Sequence, residues 1–149
     1  MKLTTFTDFS LRVLMYLAAQ PGRRATIAEI AEVFDVSENH LVKVVHFLGK
    51  VGWLNNVRGK GGGLELAGRP ESIHIGNVVR QTEGNAVLAD CFGPSQTQCR
   101  IAPACRLHGV LNEALTAFYA VLDRYTLEDL VANRAQLQKL LQDDERVAA

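Results

Sequence analysis

Four glycines fall within six residues in the segment Arg58-Gly59-Lys60-Gly61-Gly62-Gly63. Such a run suits neither a helix nor a strand, because glycine loses the most freedom on ordering and offers no side chain to pack. It reads as a turn. Its flanks are strand-like: Trp53-Leu54-Asn55-Asn56-Val57 leads in and Leu64-Glu65-Leu66 leads out. The segment is therefore expected to be a β-hairpin with a basic tip.

The stretch before this hairpin has helical periodicity. Phe6, Phe9, Val13 and Leu17 mark one face of a helix over residues 6–19, with Asp8 and Arg12 four apart on its polar side, and Pro21-Gly22 ends it. Thr26 and Glu29 make a capping box for a short helix over 27–34. Asp35-Val36 is a tight connection, and Ser37 is an N-cap residue for a third helix reaching about Lys50. Leu41, Val44, Val45 and Leu48 form its apolar stripe, and Glu38, Asn39, Lys43, His46 and Lys50 lie largely off it. A short helix, a tight turn, a helix with a polar outer face and then a glycine-rich basic hairpin is the order of a winged helix-turn-helix.

Further on, residues 73–83 read as a short helix and residues 126–131 as another, while 134–145 read as a polar tail bearing Leu137, Leu140 and Leu141. Between Cys105 and Tyr125 the pattern is heptad-like: Leu107, Leu111, Ala114, Phe118, Val121 and Tyr125 step alternately by four and three. Val110, Ala117 and Leu122 widen that face. A helix apolar on two sides predicts two partners, its own domain and a second copy of the chain. The fold class expected is mainly α with a small β-hairpin wing: a winged helix-turn-helix plus a long dimerisation helix.

Composition narrows the function classes. Hydrophobic residues make up 48% and charged residues 21% of 149, which argues against disorder. No apolar run reaches the roughly 18 residues of a membrane span. The N-terminus is interrupted by Asp8, Ser10 and Arg12 and has no leader-like core, so a cytoplasmic location is expected. Net charge is zero, but residues 1–80 hold ten basic and seven acidic residues, and residues 81–149 hold six and nine. The front half is compatible with a nucleic-acid partner. No nucleophile–base pair or phosphate loop is recognisable, and Gly59-Lys60-Gly61-Gly62-Gly63 lacks Walker spacing, so an enzyme is not expected.

The three cysteines, Cys91, Cys99 and Cys105, fall within fifteen residues. An odd, clustered set makes a poor disulfide framework and a better metal or redox site. Paired Cys-x-x-Cys spacings of structural zinc are missing. Three thiolates suit an iron–sulfur cluster with one position left for a nitrogen or oxygen ligand, for which Asp90, His108 and Asp8 are candidates. Arg100 and Arg106, each beside a cysteine, fit the electropositive surroundings in which reactive or ligating cysteines sit.

Phe6-Thr7-Asp8-Phe9-Ser10-Leu11-Arg12, Arg58-Gly59-Lys60-Gly61-Gly62-Gly63, Ile75-Gly76-Asn77-Val78-Val79-Arg80 and Pro103-Ala104-Cys105-Arg106-Leu107 together resemble the NsrR-type nitric-oxide-sensing repressors. These are winged-helix iron–sulfur regulators, a group that also includes IscR. The resemblance runs to about Val131. It implies a homodimeric DNA-binding repressor that reads an inverted-repeat operator and releases it when nitric oxide nitrosylates or removes a cluster. It implies three parts: a DNA-binding domain over 1–80, a cluster-binding loop over 81–105, and a dimerisation helix with C-terminal helices or tail over 106–149. Cys91, Cys99 and Cys105 match the family cysteines, and Asp8 matches the aspartate supplied from the opposite subunit. His108 sits at the offset IscR-like members use for a histidine ligand. The interval between Cys91 and Cys99 is longer than usual for the group. A 4Fe–4S cluster is preferred, and a 2Fe–2S cluster accepts the same ligands.

The remaining expectations concern contacts. Ser37, Glu38, Asn39, His40 and Lys43 on the third helix and Arg58 and Lys60 in the wing are the DNA-binding candidates, with Asn39 suited to adenine. Arg12 and Glu83 are expected to join Asp8 in a polar group coupling sensor to DNA-binding domain. The alternative keeps the DNA binder and has the same cysteines report iron–sulfur supply or thiol redox state.

Overall fold

The computed structural model describes residues 2–84, 89, 92 and 99–142. Cys91, Asp90 and the end of the chain beyond Gln142 lie outside the described residues. In chain order the elements are α1 (Thr5–Ala19), α2 (Ile27–Phe34), α3 (Glu38–Lys50), β1 (Leu54–Val57), β2 (Gly63–Leu66), α4 (Ile75–Glu83), α5 (Arg106–Leu122), α6 (Leu127–Leu130) and α7 (Arg134–Gln142). The fold is mainly helical with one two-stranded antiparallel hairpin, as the sequence predicts.

Helix α1 is the centre. Val13 and Leu14 are fully buried, and Tyr16 to Ala19 are nearly so. Against them pack Ile30 and Ala31 of α2, the stripe Leu41, Val44, Val45 and Leu48 of α3, Ile75, Val78 and Val79 of α4, and Leu127 of α6. Each such side chain withdrawn from water contributes about 1.5–3 kcal/mol, so the predicted stripes are the adhesive of the domain. Thr26 caps α2 by accepting the Glu29 N–H at 3.1 Å, and Asp35 ends it in the left-handed region at φ 50°.

The wing pairs Leu54 with Leu66 through Val57 with Gly63. At its tip Gly59 and Gly61 take φ of 92° and 74°. A β-carbon on Gly62 would meet the carbonyl oxygens of Val57 and Gly59. The turn therefore needs glycine there for space and at its neighbours for conformation.

Four local expectations are corrected. Ser37 stands at the N-cap position of α3, but its hydroxyl makes no capping bond. The fourth helix starts at Ile75, because residues 70–72 form a short 3₁₀ turn with Pro70 leading it. Helix α5 ends at Leu122, three residues before the end of the heptad pattern. The polar tail is a helix, α7, and it closes the C-terminal end of α1. Arg134 Nε donates to the Ala18 carbonyl at 3.3 Å, and Gln138 Nε2 donates to the Ala19 carbonyl at 2.7 Å. Those carbonyls belong to the last turn of α1, where no helical N–H remains to meet them. Leu137 and Leu141 pack on the core below.

Replacing both Arg134 and Gln138 by alanine is expected to lower stability by about 1–3 kcal/mol, since each net hydrogen bond is worth about 0.5–1.5 kcal/mol. Chemical denaturation checks this. A midpoint unchanged from the unsubstituted protein would mean that α7 rides on α1 without holding it.

Candidate nucleic-acid interface and cysteine turn

Two surfaces carry the sequence candidates. The first is the outer face of α3 with the wing beside it. Its inner stripe is buried, so Glu38, Asn39, Lys43 and His46 are turned out and exposed. Val42 stands among them, half exposed at 50%, a residue sequence reasoning passed over because an apolar side chain on that face has no periodic partner. His40 is exposed but tilts toward Phe9 of α1, with ring centroids 6.1 Å apart. Ser37 and the wing residues Arg58 and Lys60 are also exposed. Lys43, Arg58 and Lys60 enter no ion pair among the described residues. The arrangement presents unpaired cations and amide or imidazole groups on one helix and one hairpin, the chemistry that phosphates and base edges recognise.

The second surface is the turn that starts α5. Cys99 is exposed, Cys105 is half-buried, and both are free thiols. Between them the chain is wound by short hydrogen bonds: Ala102 N–H to the Cys99 carbonyl at 3.1 Å, and Cys105 N–H to the Ala102 carbonyl at 3.3 Å. Pro103 sits in the 3₁₀ turn Ala102–Ala104 that these bonds define. Cys105 is the N-cap residue of α5. His108, one turn into α5, stacks on Phe92 with centroids 4.5 Å apart and ring planes 13° from parallel. Among the described residues no group of three His, Cys, Asp or Glu side chains converges as a metal site.

Asp8 and Arg12 form the expected pair on α1, at 3.0 Å. The Arg12 guanidinium also lies 5.6 Å over the ring of Phe34, the last residue of α2. Glu83 does not bond to this pair. Its carboxylate accepts from the Thr4 N–H at 2.8 Å and the Thr4 hydroxyl at 3.1 Å, at the start of α1. Thr4 is the N-cap, so Glu83 meets an unpaired helix-end donor where the charge of a carboxylate is favoured.

One joint was not visible in sequence. Arg80 of α4 grips Asp123, the residue after α5, with two hydrogen bonds of 2.6 Å, and stands 4.4 Å over the ring of Tyr119. The Arg80 hydrogen bonds hold the Asp123 carboxyl below the usual carboxylate range. Gly76, one turn earlier on α4, makes room: a β-carbon there would collide with the Asp123 carboxylate. The pair is 43 residues apart, beyond the reach of any local pattern.

Comparisons with known proteins agree on the kind of molecule. The family model Rrf2, described as an iron-dependent transcriptional regulator, matches residues 3–133. The HTH-type transcriptional regulator NsrR of Bacillus subtilis is 51% identical over 142 residues, covering 95% of this chain and 97% of that one. That of Shouchella clausii is 49% identical over 143 residues, with 95% and 96% covered. Among solved structures, IscR of T. potens superposes with a TM-score of 0.73 at 26% identity, covering 93% of this chain and 91% of its own. CymR, the global cysteine regulator of B. subtilis, gives 0.68 at 27%, covering 89% and 98%.

Gly76→Ala is expected to push Asp123 off Arg80 and loosen α5 from α4. Asp123→Asn, which keeps the shape and removes the charge, is expected to do so less. Hydrogen exchange at the amides of residues 119–125 reads both. Unaltered protection in Gly76→Ala would show that the joint is not what holds α5.

Proposed function

The chain belongs to the Rrf2 family of transcriptional regulators, and from that premise we propose that it is a homodimeric repressor sensing nitric oxide through an iron–sulfur cluster. The observation that carries this reading is the cysteine turn: two free thiols at the ends of one hydrogen-bonded turn, at the foot of a helix whose first turns leave Leu107 and Val110 exposed. Thiolates are the ligands such clusters use, so the donor set fits. Cys91, Cys99 and Cys105 would hold the cluster, with Asp8 of the partner subunit as the fourth ligand and His108 as the competing choice. A 4Fe–4S cluster is favoured over 2Fe–2S.

When bound, the group would supply iron able to react with nitric oxide, and a carboxylate in place of a thiolate would leave that iron more open to exchange. The chain's own residues carry the consequence. Asp8 has two uses for one carboxylate, pairing with Arg12 or ligating in the partner. Arg12 touches both Asp8 and Phe34, and Phe34 closes α2, which packs on α3. A change in what Asp8 binds changes the pull on Arg12 and so on the helix-turn-helix. Glu83 acts one step away, fixing the start of α1 through Thr4.

On the DNA side, Lys43, Arg58 and Lys60 would neutralise phosphates or enter a groove, and Ser37, Glu38, Asn39 and His40 would face base edges or backbone. Two copies related by a two-fold axis imply an inverted-repeat operator with half-sites about one helical turn, or a multiple, apart. The uncovered side of α5, with Leu107 and Val110 each 60% exposed, supports pairing through that helix.

A second reading has support from Cys99, which is exposed and thus open to oxidants: the same cysteines would report thiol redox state without metal, or cluster supply.

Native mass spectrometry of anaerobically purified protein, before and after nitric oxide, decides among these. A dimer with about four irons and four sulfides per chain, altered stepwise as DNA affinity falls, is expected. Asp8→Ala should lower cluster retention more than His108→Ala. Arg12→Ala should keep the cluster and blunt the nitric-oxide response. A metal-free dimer that loses DNA on peroxide treatment would favour the redox reading, and zinc alone would refute the cluster sensor.

A further inference from the structure

Arg24 lies in the loop between α1 and α2. The next residue, Ala25, pairs with Leu64: the Ala25 N–H donates to the Leu64 carbonyl at 3.1 Å, and the Leu64 N–H donates to the Ala25 carbonyl at 2.7 Å. Strand β2 is therefore the middle of three at this rung, flanked by β1 on one side and Ala25 on the other. That antiparallel register sets Arg24 across from Glu65. Their side chains meet, with Arg24 Nε 2.7 Å from Glu65 Oε2. The same guanidinium reaches up the hairpin, where Nη1 donates to the Gly61 carbonyl at 3.2 Å. One side chain thus ties a rung of β2 to the glycine turn at the wing tip.

A two-stranded hairpin is marginal by itself, and a glycine-rich turn has much freedom to lose. Arg58 and Lys60, the wing's cations, stand on that turn. We propose that Arg24 is a positioning residue of the DNA-binding surface: through Glu65 and the Gly61 carbonyl it holds the wing tip in its binding posture, without touching DNA. The proposal rests on the reading of this chain as a DNA-binding regulator. The physical gain is preorganisation, since a tip already ordered loses less freedom when it meets the duplex. The pair is partly exposed, 42% and 35%, so it adds little to global stability. Its effect is on where the wing stands.

The rival role for Arg24 is a direct phosphate contact, and Glu65 separates the two. If Arg24 works through the wing, Glu65→Gln weakens DNA binding although it removes a negative charge. If Arg24 touches phosphate, Glu65→Gln frees the guanidinium and binding holds or tightens, and Arg24→Ala lowers the salt slope by about 0.9. The probe is a duplex selected by the protein itself from a random pool. We expect Arg24→Ala and Glu65→Gln each to weaken binding roughly threefold to tenfold, and the double substitution to be no weaker than the worse single. The salt slope and melting temperature should stay at the unsubstituted values, and Arg24→Lys, keeping one anchor of two, should fall between.

Hydrogen exchange on the free protein tests the strap without DNA. The Gly62 amide, bonded to the Gly59 carbonyl at 2.9 Å, and the Leu64 amide should exchange faster in both single variants. Unchanged exchange there would overturn the proposal whatever the DNA does. Faster exchange with unweakened binding would overturn it too, leaving a strap with no bearing on recognition. Should the unsubstituted protein select no duplex at all, the DNA-binding reading fails, and exchange alone decides whether Arg24 orders the wing.

Discussion

The two ends of α1 are where the distant parts of this chain meet. Every helix leaves donors unmet at its start and acceptors unmet at its finish. Here both ends are closed by side chains far away in sequence: Glu83, 79 residues on, takes the Thr4 N–H, and Gln138, 119 residues on, gives its amide to Ala19. The apolar body of α1 supplies adhesion, which is non-directional. The bonds at its ends supply direction. That matters because α1 carries Asp8 and Arg12 near one end and feeds the Ala25 rung of the wing beyond the other. Orientation of α1 is shared by everything the molecule offers to a ligand.

How much of this was legible follows from the range of each signal. Helices α1 to α3 and the hairpin were readable, because stripe, cap and glycine turn are written within a few residues of one another. Thr26 does cap α2, and the stripe from Leu41 to Leu48 is buried. The α7 helix looks like a tail in sequence, because its hold on α1 is polar and lies across the fold, while its three leucines alone make a weak stripe. The Arg80–Asp123 pair is illegible for the same reason, and only the fold shows that Gly76 is where a side chain has no room. For Glu83, charge alone points to Arg12, whereas a helix-end N–H one turn earlier, that of Thr4, takes the carboxylate. At the cysteines, residue type and spacing spoke for a soft-metal site. The fold adds that Cys99 and Cys105 bracket a proline turn and open α5. Nothing local in sequence fixes the path to Cys91.

Helix α5 is held unevenly. Phe118, Tyr119 and Leu122 near its end pack on the core, and Arg80 clasps Tyr119 and Asp123 there. Toward its start Leu107 and Val110 face outward, and no residue of α5 is fully buried. A helix held at one end with greasy residues at the other presents apolar surface of a kind that favours burial. Of the heptad positions Phe118 packs on the core, beside Tyr119 and Leu122, whereas Leu107, Val121 and Tyr125 stay exposed. The cysteine turn sits at that same end, next to Leu107 and Val110.

A chain of zero net charge is at first sight a poor match for a polyanion. The placement of its ion pairs resolves this. Of the ten basic residues in the first 80, Arg12, Arg23, Arg24, Arg69 and Arg80 are each paired with a carboxylate. The five outside such pairs, among the described residues, are Lys2, Lys43, Lys50, Arg58 and Lys60, and four of these lie on α3 or the wing tip. Arginine, with its planar fork, is spent on structure: it straps the wing, clasps α5 and steadies the α1–α2 loop through Tyr16 and Glu29. Lysine, a flexible and strongly hydrated point charge, is left to solvent on the outer faces. Association with a phosphate backbone depends on the local field that incoming charge meets, and on the counterions displaced, rather than on the sum over the whole chain. Six carboxylates among the described residues are tied to arginines, and α3 with the wing tip carries Lys43, Lys50, Arg58 and Lys60 against the single carboxylate of Glu38, so this face keeps positive charge in a molecule that carries none overall.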